Sequence, residues 1–225
     1  NSGYFNTSEI LILNNASTIT QPAFNQTSYK VEENINVSLV VKDIDTTDIY
    51  FNVTFEWFKN NALIRRTTNN NVLNGTNTSD TLANYNYAKS DTIIVQAFAF
   101  DSEANSTLTN STTLTISNSA PTFLINPLIN STDATNRTTI NLNVFFTAND
   151  TNTDSLTYSI QYFTNNVSNF TLSSVTANRN VITVHTLQSR NLTKGQTWKA
   201  QVQLSDGTGT SSYINTSEIL ILNTA

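Results

Sequence analysis

The stretch Thr197-Trp-Lys-Ala-Gln-Val-Gln-Leu-Ser205 decides the fold class, because apolar and polar side chains alternate along it without interruption. In an extended chain Trp198, Ala200, Val202 and Leu204 fall on one face, and the residues between them fall on the other. This period of two predicts a β-strand with one buried face. The same alternation recurs in residues 37–41, 51–58 and 156–162. No segment combines a helical period with helix caps, so the sequence predicts an all-β protein.

A single offset of 105 residues relates the two halves of the chain. It superposes three pairs of blocks: Phe55–Asn61 on Ile160–Asn166, Asp91–Asp101 on Gln196–Asp206, and Asn110–Ser117 on Asn215–Leu222. We therefore divide the chain into two modules, residues 16–118 and 119–225. Each module holds several short alternating segments separated by clusters of Asn, Asp, Thr and Gly. This pattern predicts two tandem antiparallel β-sandwiches of the immunoglobulin-like class.

Residues 1–15 belong to neither module. Tyr4–Leu13 matches Tyr213–Leu222 at nine of ten positions, so the chain opens with a copy of the last strand of a module. A lone strand leaves its backbone donors and its apolar side chains without partners. Two interpretations follow: the sequence is a window of a longer tandem array, which the near-identity favours, or the segment is a donor strand for a neighbouring subunit. Both imply a linear polymer of copies, with an interface at Tyr4, Ile10, Leu11, Ile12 and Leu13.

Composition narrows the class of protein. Only 12% of the 225 residues are charged, the net charge is −5 and the pI is about 4.7, which excludes the basic surface of a nucleic-acid-binding protein. Cysteine and methionine are absent, while Asn, Thr and Ser number 35, 38 and 23. Disulfides and thiolate metal sites are therefore excluded. No apolar run is long enough to span a membrane.

Three stretches resemble the immunoglobulin-like repeats of prokaryotic surface proteins. Lys194–Gly207 is similar to their penultimate strand, Asn118–Thr122 to their module junction, and Asn149–Tyr158 to their Asp-rich turn before the third strand. Related families are the polycystic-kidney-disease-like and cadherin-like modules. The resemblance implies a stalk, fibre or adhesin segment outside the cell, and it specifies no ligand.

The strongest chemical signal is the N-glycosylation motif Asn-x-Ser/Thr. Sixteen motifs occur, about 1.7 times the number that composition alone gives. Asn36 and Asn52 fall on the polar faces of their strands, where a glycan would point into solvent. We therefore expect N-linked glycans on several of these asparagines. They are Asn6, Asn15, Asn25, Asn36, Asn52, Asn74, Asn77, Asn105, Asn110, Asn130, Asn136, Asn149, Asn166, Asn169, Asn191 and Asn215.

Acidic residues cluster in equivalent turns of the two modules. The first group is Asp43, Asp45 and Asp48, the second is Asp150 and Asp154, and Asp101 with Glu103, or Asp206, could approach from another loop. Calcium prefers such oxygen ligands. Asp and Asn also bond their own backbone in tight turns, and the sequence favours this role. Asn149 and Asn152 stand where acids would strengthen a second calcium site, so we assign no metal ligand and no cofactor.

Catalysis has no support in the sequence. His185 is the only histidine, and its place on an alternating segment predicts a solvated surface residue. There is no thiol, no phosphate-binding loop and no nucleophile–base motif. Trp57 and Trp198 could stack on sugars in a carbohydrate-binding module, but both fall on apolar faces, which favours core packing.

Two aromatic residues break the pattern of the first module. Phe98 and Phe100 lie on the polar face of their strand, where the second module has Gln203 and Ser205. We predict that Phe98 and Phe100 contribute to contacts between modules or subunits. The sequence thus predicts a non-enzymatic, glycosylated structural unit of an extracellular filament or fibre. The alternative is an adhesin stalk or carbohydrate-binding surface module.

Overall fold

The computed structural model describes residues 11, 13–45 and 47–223, whose regular secondary structure is almost entirely β-strand. The chain divides into two compact units, Asn1–Ser117 and Asn118–Ala225. Within the described residues, no helix has the length and apolar character needed to cross a membrane. The strands of unit 1 are β1 (Thr18–Ile19), β2 (Ala23–Phe24), β3 (Tyr29–Lys30), β4 (Ile35–Lys42), β5 (Tyr50–Lys59), β6 (Ala62–Leu73), β7 (Asn77–Leu82), β8 (Thr92–Phe100), β9 (Thr109–Asn110) and β10 (Leu114–Ser117).

Unit 1 is a sandwich of two sheets. In the first sheet β4 is central, with β1 and β2 along one side and β7 along the other, all antiparallel. In the second sheet the order is β6-β5-β8, and β9 and β10 pair with the far side of β8. β3 adds to β10 in parallel.

Unit 2 repeats this arrangement with its own strands. They are β11 (Thr122–Ser131), β12 (Leu142–Asn149), β13 (Leu156–Thr164), β14 (Val167–Ala177), β15 (Ile182–Leu187), β16 (Thr197–Ser205), β17 (Ile214–Asn215) and β18 (Ile219–Leu220). One sheet runs β11-β12-β15, and the other runs β14-β13-β16 followed by β17 and β18. Both units are therefore immunoglobulin-like β-sandwiches, which confirms the predicted fold class.

The sequence repeat is also a repeat of strand register. Trp57 pairs with Val95 across β5 and β8, and Tyr162 pairs with Ala200 across β13 and β16. Each number in the second pair exceeds its counterpart by 105. The offset of 105 therefore relates the strands of these sheets, whereas β4 and β12 are related by an offset of 107, since Val37 pairs with Asp80 and Val144 with His185.

Each unit has a separate apolar core built from the alternating faces that the sequence predicts. Trp57 is fully buried in the core of unit 1 and Trp198 in the core of unit 2. The inward residues of β4, β5, β13 and β16 are likewise buried, which confirms the predicted faces. Because neither tryptophan reaches the surface, neither can stack on a carbohydrate.

One detail of the predicted faces is wrong. Thr54 and Glu56 lie on the outer face of β5, as alternation requires, but both are buried. The hydroxyl of Thr54 bonds that of Thr68 on β6 at 2.9 Å, and Glu56 pairs with Arg66. Phe98 is the direct cross-strand partner of Thr54 on β8. Neighbouring side chains therefore cover this outer face, because a polar residue on a central strand can be shielded by long side chains on both sides.

Candidate assembly edge, glycosylation positions and acidic clusters

In unit 1 the edge strands β6 and β7 are joined by a polar clamp around Asp80. Its Oδ2 accepts hydrogen bonds from Trp57 Nε1 at 2.7 Å and from Thr67 Oγ1 at 2.6 Å. Its Oδ1 accepts one from Arg65 at 2.7 Å. Asn69 on β6 adds bonds to Thr78 and Ser79 on β7. These contacts close the gap between the two sheets on this side of the sandwich.

In unit 2 the equivalent side chains cannot make this clamp. The offset of 105 places His185 where unit 1 has Asp80, Phe170 where it has Arg65, Leu172 where it has Thr67, and Tyr162 where it has Trp57. Tyr162 stacks on Phe170, with ring centroids 4.9 Å apart, and lies 6.1 Å from His185. Its hydroxyl is buried without a hydrogen-bond partner. We call Phe170, Leu172 and His185 the β14–β15 edge.

The β14–β15 edge leaves inward-facing apolar groups open to solvent. Phe170 is 36% exposed although it pairs with the buried Tyr162, and Leu172 is half-buried. The hydrogen bonds of the described residues join β14 to β13 and β15 to β12, and none joins β14 to β15. The second sandwich is therefore unsealed where the first is cross-linked. This difference was not predicted from the sequence, although the replacement of Asp80 by His185 in the aligned repeat indicates it.

An apolar patch also covers the outer face of the sheet β11-β12-β15. Leu128, Phe145 and Val184 form one row of directly opposed residues across the three strands. Ile125 and Ile182 flank Thr147 in the next row. Four of the five apolar side chains are exposed, and Phe145 between them is half-buried. Exposed apolar side chains in contiguous rows are typical of protein contact surfaces.

His185 is not the solvated surface residue that the sequence predicts. It is half-buried beside Tyr158 and Tyr162, and its Nδ1 lies 3.5 Å from the Tyr158 hydroxyl. Burial lowers the pKa of His185.

The terminal segment of unit 2 has nearly the same sequence as the leading segment, and it completes the sandwich of that unit. Residues 213–222 pair with β16 through β17 and β18, and Ile219 and Ile221 enter the core. Leu220 and Leu222 point outward and are half exposed. β9 and β10 fill the same position beside β8 in unit 1. Each unit therefore already has its own strands at this position.

The predicted interface residues are only partly described. Leu11 and Leu13 are 82% and 72% exposed, and they correspond to the outward residues Leu220 and Leu222. Phe98 is half-buried and Phe100 is exposed. Tyr4, Ile10 and Ile12 lie outside the described residues. The interface at these residues stays a prediction.

The glycosylation motifs lie mostly at the surface. Of the sixteen asparagines, Asn6 lies outside the described residues, eleven are exposed, and four are half-buried. The half-buried ones are Asn36, Asn74, Asn136 and Asn149. Asn165 and Asn166 form the left-handed turn between β13 and β14, as Asn60 and Asn61 do between β5 and β6. Accessibility therefore permits modification at most motifs, and occupancy stays a prediction.

We predict that Asn74 carries no glycan although it sits in a motif. Its Nδ2 donates to the backbone oxygens of Asp43 and Asp48, at 3.1 and 3.2 Å, and its Oδ1 accepts from Asp43 N–H. A glycan on Nδ2 would replace a proton that the turn uses. Asn77, three residues later, is exposed and is the matched control. Site-resolved mass spectrometry of native protein should find Asn77 modified and Asn74 bare; a glycan on Asn74 would contradict the prediction.

The structure assembles the acidic residues into two groups. Within the described chain, Asp43, Asp48 and Asp101 bring carboxylate oxygens within 4.8 Å of one another, and so do Asp150, Asp154 and Asp206. In the first group Asp101 plays the turn role that the sequence favours. Its Oδ1 accepts N–H bonds from Glu103 and Ala104, and its Oδ2 accepts from Asn14 Nδ2 and Ser17 N–H. Asp45 does not join this group.

The pKa of Asp101 follows from these contacts. Burial by itself raises the pKa, but the N–H donors from Ala104, Glu103, Asn14 and Ser17 outweigh it, so the pKa lies below the ordinary value of 3.8. In the second group burial raises the pKa of Asp150, and the charges of Asp154 and Asp206 raise it further. Asp101 and Asp150 therefore differ in how well their carboxylates are compensated, while Asp206, the counterpart of Asp101, accepts N–H donors from Thr208, Gly209 and Asn118.

We expect the low pKa of Asp101 to make unit 1 sensitive to acid. A carboxyl group whose folded-state pKa is depressed stabilises the fold fully above its unfolded pKa, and this contribution is lost as the pH falls through the folded pKa. Asp101→Asn should lower the free energy of unfolding by about 3 kcal/mol at neutral pH, since bonds to a charged acceptor are lost. Urea unfolding between pH 7 and pH 2 measures both effects. The two proteins should converge below pH 3.8; a constant gap would contradict the assignment.

Comparison with known proteins identifies no family. No protein-family model matches this chain, and no curated protein sequence matches it significantly. The chain is similar to the crystal structure of the chicken CNTN1 FN1–FN3 domains, at 8% sequence identity and a TM-score of 0.36. The alignment covers 91% of this chain and 65% of that one, so this chain spans less than two-thirds of its length. The prokaryotic, polycystic-kidney-disease-like or cadherin-like type of repeat stays a prediction.

Proposed function

We propose that this chain is a structural, N-glycosylated repeat unit of an extracellular filament or cell-surface fibre, and that its units assemble head to tail. The observation that carries the proposal is the difference between the two sandwiches. Asp80 and its partners seal unit 1, whereas the β14–β15 edge leaves unit 2 unsealed and apolar. An unsealed edge with exposed inward-facing side chains favours the addition of a strand.

The leading segment has the properties of such a strand. Its sequence copies Tyr213–Leu222, whose residues Ile219 and Ile221 are core residues of unit 2. Because β9, β10, β17 and β18 already fill the corresponding positions in both units, the leading segment needs a partner elsewhere. The proposal places it in another unit, supplied either by a neighbouring subunit or by an adjacent part of a longer chain.

The surface chemistry supports a location outside the cell. Eleven exposed asparagines lie in glycosylation motifs, and cysteine is absent. Glycans would hydrate a surface that has few charges, and they would hinder unwanted pairing of exposed strand edges. The alternative, a carbohydrate-binding module, loses its two candidate aromatic platforms because Trp57 and Trp198 are buried.

Electron microscopy of native material tests the proposal. A strand of about ten residues rises roughly 33 Å, so we expect modules to repeat every ~35–50 Å along a fibre. Glycan density should lie beside the exposed motif asparagines, and an added strand should lie along the β14–β15 edge. Denaturing electrophoresis separates the two assembly modes, since strand exchange gives single chains and a covalent array does not. Isolated compact particles with no added strand would overturn the proposal.

A further inference from the structure

Unit 2 contains a buried carboxylate that is only partly satisfied within the described residues. Asp150 is 3% exposed, and its Oδ2 has no hydrogen-bond partner. Its carboxylate accepts backbone N–H donors from Asp154, to Oδ1 at 3.3 Å, and from Asn152. An unpaired buried carboxylate is strongly unfavourable unless a proton or a cation compensates it.

A second orphaned oxygen lies at the same place. Asn118 donates from Nδ2 to Asp206 Oδ2 at 2.8 Å, which fixes its amide beside the acidic group. The Oδ1 of that amide is buried and has no partner. Arg179 donates a hydrogen bond to the backbone oxygen of Asp150 at 3.4 Å rather than to its carboxylate. Two acceptors thus lack donors next to a cluster of three carboxylates.

We propose that Asp150, Asp154, Asp206 and the Oδ1 of Asn118 form a calcium site in unit 2. The three carboxylates bring oxygens within 4.8 Å of one another, and calcium takes six to eight oxygen ligands in a flexible geometry. Water completes the coordination. The site draws the start of unit 2 at Asn118 onto the loops that carry Asp150 and Asp206.

The first acidic group provides the internal comparison. Asp101 and its equivalent Asp206 are satisfied in the same way, since both oxygens of each carboxylate accept protein N–H donors. Asp43, which directly follows β4 as Asp150 directly follows β12, also has a buried Oδ2 without a hydrogen-bond partner. Among the described residues, the feature of the second group that the first lacks is the buried, unpartnered amide oxygen of Asn118. The inference does not depend on filament assembly.

Calorimetric titration of the whole chain with calcium chloride at neutral pH tests the site. We expect one ion per chain, and at one hundred times the dissociation constant the folded-to-unfolded ratio of unit 2 should rise about 100-fold. Asp150→Asn and, as a milder change at a half-buried residue, Asp154→Asn should each weaken binding at least about tenfold. Glu218→Gln removes one exposed charge from the same unit and should leave binding unchanged.

The chelated protein supplies the opposite prediction for the same variant. Without calcium, Asp150→Asn removes a buried charge and should leave unit 2 at least as stable as the wild-type unit. The absence of binding heat together with an unchanged melting midpoint would overturn the site. Full affinity retained in both aspartate variants would overturn it equally.

Discussion

Replacing Ile10 and Ile12 together with lysine should abolish head-to-tail assembly, whereas replacing Leu11 and Leu13 should not. The first pair corresponds to Ile219 and Ile221, which are buried in the core of unit 2. Leu11 and Leu13 correspond to the half-exposed Leu220 and Leu222. Burying one isoleucine stabilises an assembly by roughly 1.5–3 kcal/mol, so losing two should weaken association by more than about 100-fold.

Sedimentation and electron microscopy after removal of denaturant measure this effect. The two double variants carry the same added charge and differ only in which face of the segment they change. Lysine on the outward face should leave fibre yield near that of the wild type. Equal loss of fibres in both variants would show that charge, and not the buried face, controls assembly. Equal retention in both would contradict strand insertion.

The proposed role of the β14–β15 edge can be tested by introducing the polar clamp of unit 1 into unit 2. Phe170→Arg with His185→Asp places an ion pair where Arg65 and Asp80 form one at 2.7 Å. This pair should seal the β14–β15 edge, so the variant should fold and fail to assemble. In a Trp57→Phe background, Trp198 is the sole tryptophan, and its fluorescence reports whether unit 2 has folded. Fibres formed by a folded, clamped variant would place the contact elsewhere, and the outer apolar patch around Phe145 would be the next surface to change.

The sequence predicts the strands and their faces because burial on one face imposes a strict period of two. Val53, Phe55 and Trp57 on β5 and their counterparts on β13 are buried as predicted. Alternation predicts which face of the strand a side chain occupies, but it does not predict how deeply that side chain is buried. Glu56 is buried on the outer face because Arg66 and other neighbours cover it, and those neighbours are set by strand pairing.

The candidate assembly edge was less accessible to sequence reasoning. Asp80 and His185 occupy the same place in the repeat, but each residue alone reads as a polar position on an edge strand. Only the pairing of β6 with β5 and of β7 with β4 brings Arg65, Thr67 and Trp57 to Asp80. The sequence does suggest that Asp206 could approach Asp150 and Asp154 from another loop, and the structure brings these three carboxylates together.

Replacing Trp57 with alanine should lower the free energy of unfolding of unit 1 by about 4 kcal/mol, the loss typical of a large aromatic side chain removed from a core. Trp57 is fully buried and lies beneath the polar clamp. Its removal leaves a cavity and also removes one of the three side-chain donors to Asp80. Thr67 and Arg65 remain, so the carboxylate keeps two partners.

Trp57→Phe separates packing from hydrogen bonding. It retains most of the ring and loses the Nε1–H, so its cost should be closer to 1–2 kcal/mol, about the value of one bond to a charged acceptor. Far-UV circular dichroism in urea follows both units, while in either variant the remaining tryptophan, Trp198, reports on unit 2 alone. Because the two cores share no residue, the Trp198 midpoint should stay at its wild-type value. Equal losses in the two variants would show that the bond to Asp80, and not the packed ring, stabilises this side of the sandwich.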